Sequence, residues 1–231
     1  MELLYKITLP IHVAAGFIGL VLFWLPIFVK KGAKLHVKIG WGYVFAMWTV
    51  IVTAAVMSMI SLIDGHYFIA LFLGFLTLIT IEPLWYGISI LKFKKGVNKA
   101  MYNKRRTLQA VIIVYSLINI VFALQGGVHD GDVLLLIFAG LGLTNIKSVR
   151  LSFEEYRQQV NPIKDHILGM LTTGIASYTA FFAFGGRTWL GELLSGQLMI
   201  IPWVAPTVIG LIGIKWYTQR YTQQKRKVAV G

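Results

Sequence analysis

Seven apolar blocks, each close to the length that crosses a bilayer, leave this chain few choices of fold. They run over about residues 7–29, 39–61, 67–91, 107–124, 133–149, 164–185 and 197–217. A helix rises 1.5 Å per residue, so about 20 residues cover the ~30 Å hydrocarbon layer. The blocks are apolar throughout and lack the alternation of a half-buried soluble element. Only 13% of the residues are charged, about half of what a soluble domain carries. The chain is therefore predicted to be all-α, a single polytopic transmembrane bundle of seven helices over residues 1–231. The first block has only Lys6 before it and ends in KKGAK. It is too long for a signal-peptide core and is expected to stay as the first span.

The second constraint is charge. A net charge of +13 and a stretch such as KKGAKLHVKIGWGY (30–43) could suggest a nucleic-acid surface. The distribution argues otherwise. Twenty of the 22 basic residues fall in the loops after spans one, three and five or in the C-terminal tail, leaving Lys6 and Arg187 on the other side. Glu2, Asp64, Asp130, Asp132 and Glu192 lie in the opposite set of loops. Basic loops stay in the cytoplasm during insertion. The expected topology therefore has the N-terminus outside and the C-terminus cytoplasmic, in a multi-pass cell membrane protein of the bacterial inner membrane. Nucleic acid is not needed as a partner. The bilayer is, and anionic headgroups would attract the basic face at about 1 kcal/mol per residue. Trp41, Tyr43, Trp85, Tyr86, Trp189, Trp203, Trp216 and Tyr217 read as interfacial belts. RLSFEEYRQQVNPIKD (150–165) reads as a short interfacial helix, ended by Pro162 before span six.

Ionisable groups within a span are costly and mark sites. Glu82 stands ~22 Å from the outer surface at 1.5 Å per residue. It must be protonated, paired, or open to a wet cavity. The adjacent Pro83 removes a helical donor and frees the carbonyl of residue 79. Gln109, Tyr115, Asn119, Asn145, Thr172, Thr173 and His166 lie at compatible depth. The expected ligand- or proton-binding set is Glu82, Asn119, Asn145, Tyr115 and His166, around a cytoplasm-facing cavity. The alternative is a dry packing cluster.

Histidines form a second pattern. His12, His66 and His129 lie toward the outside, with Asp130 and Asp132 nearby, and could hold zinc, copper or iron. His36 and His166 lie on the inner side and could ligate a metal or a b-type haem. No His-x-x-His, His-x-x-x-His or Glu-x-x-His fixes two ligands on one helix face. With no cysteine in the chain, thiolate sites and disulfides are excluded. Walker, Gly-x-Ser-x-Gly and Gly-x-Gly-x-x-Gly motifs are absent.

The first-span HVAAG (12–16), the basic loop running into His36 and Gly-x-x-Tyr in KKGAKLHVKIGWGY, and DHILGM (165–170) give the chain a partial resemblance. It resembles a group of bacterial multi-pass proteins described only as predicted membrane proteins. The resemblance covers spans one to three and six. It implies that His12, His36, Tyr43 and His166 matter ahead of His66 and His129, and it implies no reaction. Such proteins often follow the span-six His with basic residues and a Trp, where this chain has ILGM.

The expected function is a polar intramembrane site that binds or passes a small ligand, a proton or a metal ion. Glu82 would be the proton carrier or cation partner, His12 an outer ligand and His166 an inner one. Three alternatives remain: a redox protein holding b-type haem or a metal, a membrane-embedded metal-dependent lipid enzyme, and an accessory subunit. A second copy of the chain or a larger membrane complex would be the protein partner.

Overall fold

In hydrocarbon an unpaired backbone N–H or C=O costs several kcal/mol, and a helix pairs nearly all of them within one segment. The structure is a computed structural model that describes residues 2–93, 96–125, 130–185 and 201–230. Helices cover 90% of the described residues, with no strand among them. The elements are α1 (Glu2–Phe28), α2 (Lys34–Ile63), α3 (Tyr67–Ser89), α4 (Lys99–Leu124), α5 (Asp130–Leu143), α6 (Ile146–Arg150), α7 (Phe153–Gln159), α8 (Pro162–Ala180) and α9 (Ile201–Val230). A 3-10 turn, Ile90–Lys92, extends α3, and a π-turn, Phe181–Gly185, extends α8.

Among the described residues six helical stretches are long and apolar enough to cross a membrane: Glu2–Phe28, Lys34–Ile63, Tyr67–Lys92, Lys99–Leu124, Val133–Arg150 and Pro162–Gly185. They coincide with the first six expected spans. The block expected at 197–217 overlaps α9 but begins outside the described residues. The fifth span breaks at Thr144 and Asn145 into α5 and α6, with the Asn145 N–H donating to the Gly142 carbonyl at 3.2 Å.

Local sequence sets the helix ends. At the end of α2, Gly65 takes φ +80° and the His66 N–H returns to the Ser61 carbonyl at 2.8 Å. This left-handed glycine ending releases the chain into α3. The start of α4 corrects the expectation of 107. Asn98 accepts the Met101 N–H at 2.9 Å and caps a helix that begins at Lys99. Arg105 and Arg106 are therefore helical residues and not loop residues.

The expected interfacial helix is α7. It is capped by Ser152 and Glu155, whose side chains bond each other's backbone N–H. The Ser152 side chain, then its N–H, hold the Glu155 carboxyl below the usual carboxylate range. The cap is therefore complete above that range and is lost as pH falls through the depressed value. Pro162 sits in the first turn of α8 behind the cap Asn161, where its missing N–H is no loss.

The central helix is α3, which packs against α2, α4 and α8. Its contact with α8 is backbone to backbone. A Cβ on Gly169 would meet the Pro83 carbonyl oxygen at 2.5 Å and the Gly87 Cα at 2.9 Å. Two facing glycines are what allow this approach. Three apolar clusters fill the interior, around Phe75 and Leu135, around Tyr43 and Leu84, and around Ile90 and Tyr102. The periphery is apolar, with side chains such as Phe45, Val21 and Ile209 more than 60% exposed, as a lipid-facing surface requires.

The ends carrying the basic loops gather at one end of the bundle. The end of α3 meets the start of α8 through His166, Tyr102 of α4 donates to the Leu151 carbonyl at 2.7 Å, and Lys31 lies 5.7 Å from the Tyr217 ring.

Gly169→Ala forces a Cβ onto backbone that cannot turn aside. It is expected to destabilise the purified protein by about 1–3 kcal/mol, seen as a lower Tm, whereas Gly16→Ala, with nothing within 4 Å, leaves Tm within a degree or so of the original.

Candidate functional site

A carboxylate in an apolar helix needs a counter-charge, and α4 supplies one. Arg105 Nε donates to Glu82 Oε1 at 2.8 Å, and Gln109 Nε2 donates to the same oxygen at 3.3 Å. Arg105 and Gln109 are one helical turn apart, so both reach α3 from one face of α4. Of the three states open to Glu82, it adopts the paired one, at 9% exposure.

The guanidinium is held on its other side by aromatic rings. Its carbon lies 3.5 Å from the centre of the Tyr86 ring and 5.8 Å from that of Tyr156. This is the stacking that Arg, with its flat delocalised charge, makes better than Lys. Tyr156 donates its hydroxyl to Tyr86 at 3.1 Å, and Tyr86 donates to Asp165 Oδ2 at 3.0 Å. The Asn161 N–H donates to the same oxygen at 3.2 Å. Hydrogen bonds and stacking thus run unbroken from α3 through α4 and α7 to the start of α8.

Against this layer lies a cavity of about 140 Å³, bounded by Tyr86, Tyr102, Arg105, Arg106, Gln109, Ser148, Tyr156 and Asp165 among others. That is close to the ~150 Å³ of a cavity that accepts benzene, so it has room for a molecule of a handful of heavy atoms. Arg105 is neutralised by Glu82. Arg106 is not neutralised: its Nη1 donates to the Tyr102 hydroxyl at 3.1 Å, and no carboxylate lies within ion-pair distance among the described residues. The lining also includes Asp165, whose Oδ1 has no hydrogen bond among the described residues. The cavity therefore presents one unpaired cation, one carboxylate and several hydroxyl and amide groups.

The structure separates most of the residues expected to surround Glu82. Asn119 is fully buried ten residues beyond Gln109, hence ~15 Å further along α4, and neither amide atom has a partner among the described residues. Tyr115 packs against Phe75 at 6.1 Å between ring centres. Asn145 donates to the Gly142 carbonyl at 3.0 Å and closes the α5–α6 turn. His166 follows Asp165 in the chain but turns away from the cavity to the Gly87 carbonyl, at 2.8 Å from Nδ1. Glu82 itself lies beneath the cavity and reaches it through Arg105.

The outer histidines do not meet. His12 Nδ1 lies 2.9 Å from Thr53 Oγ1 in mid-bundle. His66 is exposed at the α2–α3 turn, more than ten residues beyond Thr53 and so at least ~15 Å along α2. His129 lies outside the described residues. Among the described residues no three His, Asp or Glu side chains form a group that could hold a metal ion. On the inner side, His36 Nδ1 is 3.2 Å from the Pro26 carbonyl.

Arg105, Arg106, Tyr86, Tyr102, Tyr156 and Asp165 were absent from the expected site. Asn98 as a helix cap, with Arg105 and Gln109 four apart, was the signal that would have placed the arginines on the helix. Tyr86 and Tyr43 correct the reading of interfacial belts, since both are buried at 3% exposure. Tyr86 carries the guanidinium, and Tyr43 bonds Thr173 at 2.7 Å. Comparison with protein-family models, with curated proteins and with solved structures finds no match for the chain.

Proposed function

We propose that the protein is a seven-span membrane protein, with its N-terminus outside, that binds a small charged ligand at its cytoplasmic end. The observation that carries this reading is the unpaired Arg106 on the wall of a cavity whose floor is fixed by the Glu82–Arg105 pair. Arg106 is the counter-ion for an anionic group on the ligand. Its planar, permanently charged fork suits a phosphate or carboxylate, and Gln109 and the tyrosine hydroxyls supply neutral hydrogen bonds. Asp165, in the same lining, favours an ammonium or hydrogen-bond donor elsewhere on the ligand. The ligand class is a small zwitterion, whether free in the cytoplasm or as a lipid headgroup. Glu82 acts as a cation partner toward Arg105, which orients the guanidinium, and it does not touch the ligand. The orientation rests on the basic loops gathered at this end, and the seventh span rests on the apolar sequence at 197–217.

Binding is tested by thermal melting of detergent-purified protein with glycine, inorganic phosphate and O-phosphoethanolamine. O-Phosphoethanolamine is expected to raise Tm with the logarithm of its concentration above Kd, by the equivalent of about 2.7 kcal/mol at one hundred times Kd. Arg106→Gln abolishes the shift, Lys6→Gln retains it, and Asp165→Asn removes the preference over inorganic phosphate. No shift with any probe, or a shift that survives in Arg106→Gln, contradicts the proposal. Co-purified phosphatidylethanolamine lost in the same variant identifies the lipid source, and its absence identifies the free one. Orientation is tested separately, in a chain with no cysteine of its own. A membrane-impermeant maleimide should label Asp64→Cys in intact cells and Lys99→Cys only after the cells are opened; the reverse pattern inverts the topology.

A further inference from the structure

Two histidines unused by the cavity share a seam between α2 and α8. The helices run parallel and in register there. Tyr43 meets Thr173 at 2.7 Å, and one turn further Ser177 Oγ meets Met47 Sδ at 3.3 Å; both pairs are 130 positions apart. His36 and His166 are separated by the same interval. Each precedes its seam partner, Tyr43 or Thr173, by seven residues, two turns on one helix face. The constant interval sets the two imidazoles at one level of the seam, and they are near enough to interact electrostatically. The same register sets Met170 opposite Gly40, one turn along. A Cβ on Gly40 would find nothing within 4 Å, so the seam is open at that level, while the Met170 methyl reaches to Gly87.

The hydrogen bonds of the two rings decide which nitrogen is available. His36 Nδ1 faces the Pro26 carbonyl and His166 Nδ1 faces the Gly87 carbonyl. A carbonyl can only accept, so each Nδ1 carries the proton, and in the neutral ring Nε2 keeps its lone pair. Both carbonyls are in the last turns of their helices, where the acceptors lack a full set of helical donors. Each ring is thus fixed by a backbone acceptor. Neither Nε2 has a hydrogen bond among the described residues. A ring whose Nδ1–H is anchored to a carbonyl while Nε2 is open has the arrangement that orients metal-ligating imidazoles.

We infer that His36 and His166, through Nε2, bind a transition-metal ion at the basic end of the α2–α8 seam, with the Met170 thioether as a third donor. Two imidazoles and a thioether, with no carboxylate, form a soft donor set that suits copper(I). The surrounding stretch contains Lys31, Lys34 and Lys38, which disfavours a divalent ion more than a monovalent one. This inference is independent of the proposed ligand cavity.

The test is competition between the full-length purified protein and a chromophoric copper(I) chelator under reducing conditions. One equivalent of copper(I) per chain is expected, lost in His36→Asn and in His166→Asn and retained in His66→Ala. Asparagine keeps a donor toward the helix-end carbonyl but offers no imidazole, so circular dichroism and Tm should remain close to those of the parent. The His36→Ala and His166→Ala pair checks that the loss follows the imidazole whatever replaces it. X-ray absorption of the loaded protein should show nitrogen and sulfur neighbours, with the sulfur lost in Met170→Leu. No bound copper, binding unchanged in both Asn variants, or loss in His66→Ala would each overturn the assignment. So would a Soret band in the purified protein that disappears in the same variants, because the pair would then hold haem.

Discussion

A single carboxylate buried in an apolar helix organises the basic end of this protein. Hydrocarbon cannot stabilise the charge of Glu82, and the chain brings Arg105 across from α4 to meet it at 2.8 Å. Breaking a buried pair of this kind costs about 3–5 kcal/mol, because the remaining charge is left without compensation. The pairing therefore fixes α4 against α3 and sets the guanidinium on the Tyr86 ring. From there the Tyr86, Tyr156 and Asp165 hydrogen bonds tie in α7 and the start of α8. The cavity stands on a floor whose position is determined by charge neutralisation, and Arg106, the next residue, is left as the available cation.

The second organising element is the close approach of α3 and α8. Gly87 and Gly169 allow backbone contact, and this brings His166 to the Gly87 carbonyl. Lys31 and His36 serve the last carbonyls of α1 in the same way, with Lys31 donating to Pro26, Ile27 and Val29. Cationic and imidazole donors at helix C-termini satisfy acceptors and the helix dipole together. Basic residues of the first loop thus also close a helix end, and the histidine rings held in this way are the ones whose second nitrogen stays open.

The all-helical class and six helices long and apolar enough to cross a membrane were legible in the sequence, because long apolar blocks pair their backbone groups most readily as helices. Glu82 was legible for the same reason, as a charge out of place. Its partner was hidden by the loop-charge pattern from which a topology was expected. Arg105 and Arg106 count toward a basic loop, and only the Asn98 cap shows that the helix has already begun. Asn119, Asn145 and Tyr115 had suitable depth but the wrong direction. A helix that is apolar all round carries no stripe from which its rotation about its axis can be read. The 130-residue register of α2 and α8 was equally invisible, since it arises from packing through α3 and not from local pattern. Sequence could put His36 and His166 at the same end of their helices but could not show that the two helices keep a constant register.

The most direct test is a double-mutant cycle on Glu82→Gln, Arg105→Gln and the double variant, read by equilibrium unfolding in detergent. If the pair supports the basic end, the double variant loses less stability than the two single variants together, with a coupling of about 2 kcal/mol or more. Additive losses, within about 0.5 kcal/mol, would mean that Glu82 and Arg105 do not depend on each other, and the cavity floor would not rest on their pairing.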